Sequence, residues 1–171
     1  MLARLSLVCL VVGCSKVSSE EAAIQKSAKA KAEVVQSALV KGDFETVADH
    51  THPNIIKQLG GREQMLATLK QGLEAMKAEG IDLKGVTVLD PSRPVKVGNT
   101  TYIHVPMELE MNGPGKRLRA SGGFVGVTSD GGKTWVFLDT APGRAALKKL
   151  VPDLPDALDI PAKGPPKILD D

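Results

Sequence analysis

Few side chains of this sequence are equipped for chemistry. Asp49, His50 and His52 stand within four positions of one another, and with His104 they include every histidine of the chain. A histidine titrates near neutrality, and a neighbouring carboxylate can hold it in one tautomer for work as a general base. His50 and Asp49 are therefore candidate catalytic residues. An extended His-x-His pair can also chelate, which makes His50 and His52 the candidate metal ligands, but a site needs a third donor. His104 lies on a distant segment and would have to meet the pair across the fold. Surface or helix-capping histidines are the simpler reading, with His52-Pro53 as a turn that starts the next strand. No Ser-His-Asp signature, phosphate-binding loop, HExxH or paired-carboxylate pattern is visible, and no cofactor is indicated.

A thiol marks a second reactive position. Val11-Val12-Gly13-Cys14 closes a leader in which Arg4 supplies positive charge and residues 5–12 an apolar run. The run is far shorter than the roughly 20 apolar residues of a spanning helix, so residues 1–13 read as a processed signal. The junction resembles the lipobox of bacterial lipoproteins. That resemblance implies cleavage before Cys14, a diacylglycerol thioether on its sulfur, and anchoring in a lipid bilayer through the acyl chains. Each buried CH₂ is worth about 0.8 kcal/mol, and stable anchoring takes about two chains. Ser15, with no Asp at that place, implies by enterobacterial sorting rules the outer membrane, with the domain in the periplasm or at the cell surface.

The same reading excludes several chemistries. The two cysteines are Cys9 and Cys14; the first leaves with the leader and the second carries lipid. No thiol then remains for a disulfide, a CxxC pair, a thiolate metal site or a nucleophile. Loss of Arg4 lowers the formal net charge from +2 to +1, which gives no reason to expect nucleic acid.

These residues must be positioned by one domain, expected over residues 20–150, after a tether at 14–19 and before a proline-rich tail at 151–171. Residues 20–41 read as a helix, with Ser18 and Ser19 before an acidic first turn and Ile24, Ala28, Ala32, Val35 and Leu39 on one stripe. A short helix over 44–50 follows, then a short strand over 54–59 and a turn at Gly60-Gly61. The second long helix, 62–79, carries the stripe Met65, Leu66, Leu69, Leu73 and Met76. From Ile81 the period becomes two, giving strands at 81–89, 93–97, 101–111, 116–127 and 134–140. In the third, Ile103, Val105, Met107, Leu109 and Met111 point to the core, while Tyr102, His104, Pro106, Glu108 and Glu110 face water or a second copy in a homodimer. A helix over 143–150 precedes the tail, which is expected to lie extended over the domain or fray.

Helices grouped before a meander indicate an α+β fold, with N-terminal helices packed on a curved antiparallel sheet. The order of elements, and the helix-turn Lys41-Gly42-Asp43-Phe44-Glu45-Thr46-Val47-Ala48, resemble the nuclear transport factor 2-like superfamily over residues 20–140. The resemblance implies a cone-like fold. Ketosteroid isomerases and polyketide cyclases belong to that superfamily; the former move a proton with a pocket Asp while Tyr and a protonated acid hold the oxyanion. Here the core-facing positions carry no acid or base, and Tyr102, the sole Tyr, faces away. Asp139, near Trp135 and Phe137, is the best remaining pocket acid and the third catalytic candidate.

The segment Thr128-Ser129-Asp130-Gly131-Gly132-Lys133-Thr134-Trp135 resembles the Asp-box hairpin of sialidases and other β-proteins. Asp130, Gly132 and Trp135 are its matching turn residues, and the resemblance implies a structural turn in which Asp accepts backbone N–H groups and Trp packs beneath. Sialidase propellers repeat it blade by blade; here it occurs once. The expected function is thus a membrane-anchored module that binds a small apolar ligand or a protein. The alternative is an isomerase- or cyclase-like enzyme acting on a small apolar substrate.

Overall fold

The computed structural model describes residues 18–162 and 164–169; the leader and Cys14 lie outside the described residues. Helices come first. α1 (Ser19–Lys41) opens on a capping box: Ser18 Oγ accepts from the Glu21 N–H and the Glu21 carboxylate accepts from the Ser18 N–H, each at 3.1 Å. Two otherwise orphaned donors are satisfied. Gly42 ends the helix at φ 75°, a left-handed conformation that costs glycine little. The buried face includes Ile24, Ala28, Ala32, Val35 and Ala38. Its alanines let the helix lie close on the sheet.

α2 (Phe44–Asp49), α3 (Pro53–Gln58) and α4 (Arg62–Ala78) follow. α3 replaces the strand expected over 54–59. Pro53 occupies the first helical turn, where a missing N–H is no loss, and His52 Nδ1 accepts from the Asn54 N–H at 3.2 Å. The break after α2 is therefore a helix start. Ile55-Ile56 is too short an apolar run for its period to decide between the two.

The remaining strands are β1 (Asp82–Val88), β2 (Val95–Val97), β3 (Thr100–Gly113), β4 (Lys116–Thr128), β5 (Val136–Asp139) and β6 (Lys167–Leu169). They form one open sheet of order β1-β3-β4-β5, with β2 on β3 and β6 on β4, every pairing antiparallel. A register shift between Leu83 and Gly85 bends β1. The architecture is α+β and cone-like, with N-terminal helices on a curved antiparallel sheet. No helix among the described residues is long and apolar enough to cross a membrane.

Strand alternation feeds two cores. Ile103, Val105 and Met107 meet the α1 stripe, Met65, Trp135 and Phe137 on the inner face. The outer face differs from expectation. Tyr102 and His104 are only 4% and 6% exposed, because α5 (Arg144–Leu150) and the chain beyond it fold across them. Leu147, Val151, Leu154 and Leu158 close a second core on Tyr102, Val125 and Leu138. The tail is thus a strap, held where the Arg144 guanidinium donates to the carbonyls of Pro155 (3.1 Å) and Leu158. Beyond the strap the outer face is polar, with Glu110 paired to Arg119 at 2.7 Å.

Candidate functional site

The Asp49–His52 segment is placed by its backbone. The His52 N–H donates to the Phe137 carbonyl (3.0 Å) and the Phe137 N–H donates to the His50 carbonyl (2.7 Å), so the loop pairs along β5 through Thr51. This covers an edge that would otherwise expose unpaired groups. The side chains are engaged separately. Asp49 pairs with Arg62 at 2.7 Å, and the same guanidinium holds Glu45 at 2.5 Å. His50 Nδ1–H donates to the Thr46 carbonyl at 3.1 Å. His52 Nδ1 is the α3 cap, and burial lowers its pKa. Asp49 therefore orients no imidazole. Among the described residues no three His, Cys, Asp or Glu side chains are grouped to hold a metal.

Asp139 stands exposed at the end of β5, where its Oδ1 accepts from the Ala141 N–H at 2.7 Å. It closes a turn, and among the described residues it makes no hydrogen bond or ion pair with any histidine. The cone interior behind it is filled with rings. Phe137 lies 5.3 Å from Phe124 and 6.4 Å from Trp135, centroid to centroid. Further along the inner face, Leu83, Leu109, Met111 and Leu118 are half-buried, so the apolar surface continues toward the 113–116 turn.

The 128–135 hairpin is a saturated turn. Asp130 accepts from the Lys133 N–H (3.0 Å), from the Thr134 N–H (3.0 Å) and hydroxyl (2.6 Å), and from the Thr128 hydroxyl (2.8 Å). Gly131 and Gly132 take φ of 72° and 86°. All of Asp130's donors are local, and no acceptor is left pointing at a ligand. These bonds, those from Thr134 foremost, hold the Asp130 carboxyl far below the usual carboxylate range. A carboxyl depressed in the folded state stabilises fully above its unfolded pKa, and the gain is lost as pH falls. The urea midpoint of the wild type should exceed that of Asp130→Asn at pH 7. The gap should shrink steadily on acidification below about pH 4; a gap independent of pH would contradict this account.

One residue gains a role that its pattern did not suggest. His104 is buried, and neither ring nitrogen has a hydrogen-bond partner among the described residues; burial pushes its pKa down, with the charge of Asp159 opposing. Its ring lies over Gly123, where an added Cβ would come within 2.5 Å of His104 Nε2. The signal was the pair Gly122-Gly123 inside a strand, which marks a close approach. His104 lines a cleft that also includes Leu89, Pro106, Glu108, Ser121 and Pro161.

Compared with known proteins, the chain matches no family model and no curated protein.

Proposed function

We propose that the chain is a lipoprotein, anchored through Cys14 in the bacterial outer membrane, whose periplasmic domain binds a small molecule or a protein and performs no catalysis. The observation that carries the anchor is the Val11-Val12-Gly13-Cys14 junction. Only three residues, 15–17, lie between Cys14 and the Ser18 cap of α1; the four steps, at 3.3–3.6 Å each, reach at most about 14 Å. The first turn of α1 then stays near the bilayer surface. The helix order and curved sheet support a nuclear transport factor 2-like domain. Binding is favoured over catalysis because Asp49, His50, His52 and Asp139 are each engaged in separate contacts, away from a ring-filled interior.

The test is metabolic labelling with palmitate and fractionation of the producing cells. Wild type is expected to carry label and to sediment with outer membranes. Cys14→Ser should lose the label entirely and leave that fraction. Unlabelled full-length protein in the cytosol would overturn the anchor.

A further inference from the structure

The outer face of the sheet holds a cleft roofed by the strap. Its walls are largely apolar: Leu89, Pro106, Pro161 and Ala162. Its floor carries His104, more than nine-tenths buried and without a ring hydrogen bond among the described residues. The fully enclosed side-chain N and O atoms without a hydrogen-bond partner among the described residues are Gln36 Oε1 and Arg119 Nε, not those of His104, so the imidazole meets the cleft with its hydrogen-bonding capacity unused. The rest of that face shows what packing uses instead, with Val125 and Leu138 under the strap.

We propose that this cleft binds a small uncharged ring compound bearing a hydroxyl group, with the hydroxyl on His104. The assignment rests on the binding-module reading and adds to it a site and a ligand class. Size sets the first limit: the cleft has a volume of about 180 Å³, and a cavity of about 150 Å³ already takes benzene. Polarity sets the second. A neutral imidazole offers one N–H donor and one bare nitrogen acceptor, and a hydroxyl can meet either. Charge sets the third, since Glu108 lies in the wall and no Lys or Arg is among the described lining residues. A carboxylate in the wall with no lining cation disfavours an anionic ligand. Gly123 leaves the room that the His104 ring takes up against β4.

The experiment uses the full chain carrying Cys14→Ser, with phenol as probe and toluene and benzoate as controls. The ring ¹H–¹⁵N resonances of His50, His52 and His104, and the methyl resonances of Leu109, Met111 and Leu118, are followed by NMR. Phenol should shift the His104 resonances saturably and leave the other two in place. Toluene should bind about tenfold more weakly or worse, and benzoate should give no saturable shift. Ser121→Phe, at an exposed position on the cleft, should weaken phenol at least about tenfold with an unchanged circular dichroism spectrum. His104→Phe should lose the preference for phenol over toluene. An unmoved His104, or undiminished binding by Ser121→Phe, overturns the assignment. Phenol shifts confined to Leu109, Met111 and Leu118 would overturn this site while leaving the binding-module reading intact. Absence of any response overturns the site and its ligand class, whereas the anchor is judged by palmitate alone.

Discussion

Replacing Leu158 by alanine is expected to destabilise the fold by about 2–5 kcal/mol, an effect no loose tail could produce. Leu158 is 1% exposed and packs with Tyr102, Val125, Leu138 and Leu147. The strap has fixed backbone partners in the Arg144 contacts, so the emptied volume cannot easily collapse. The sole tryptophan, Trp135, reports from the opposite side of the sheet. Urea unfolding followed by its fluorescence therefore tests cooperativity as well as stability. One transition at a lowered midpoint means that both cores unfold together through β3, which supplies residues to each. An unchanged midpoint would mean that the strap detaches alone.

The contrast between strap and helices shows what sequence patterning can carry. α1, α4, β3 and β4 each span enough residues for the period of apolar side chains to declare the element and its buried face. Ile103, Val105 and Met107 point where alternation puts them. The strap has no period, because Pro152, Pro155 and Pro161 interrupt it, and Leu154 and Leu158 look isolated among polar neighbours. Without it, the face of Tyr102 and His104 reads as wet; the cover comes from some fifty residues further along the chain. The same non-locality governs Asp49, whose partner Arg62 lies on another helix. Its neighbour in sequence, His50, turns instead to the Thr46 carbonyl. Short motifs are legible for the opposite reason. The 128–135 hairpin is closed by its own residues, so the types and spacing of Thr128, Asp130 and Thr134 contain the whole turn.

That self-containment makes Trp135 the most informative position in the chain. Trp135→Ala is expected to cost about 3–5 kcal/mol. The indole is 3% exposed, packs beside Phe137, and donates from Nε1 to Ser27 Oγ and to the Gly132 carbonyl, each at 3.1 Å. It is the link between a turn that needs nothing else and the helix on which the fold is built. The contact is close: a Cβ on Gly132 would lie 2.8 Å from Ser27 Oγ. Trp135→Phe keeps most of the buried area but loses the donor, leaving a cost of about 1–2 kcal/mol. Thermal unfolding by far-UV circular dichroism measures both variants. Amide exchange separates the two roles of the segment. In Trp135→Ala, the Lys133 and Thr134 amides should keep their protection relative to α1, because Asp130 still accepts from both. If those amides lose protection in step with α1, the turn depends on the core it packs against. The hairpin would then be a product of the fold, where the hydrogen-bond pattern makes it a preformed unit.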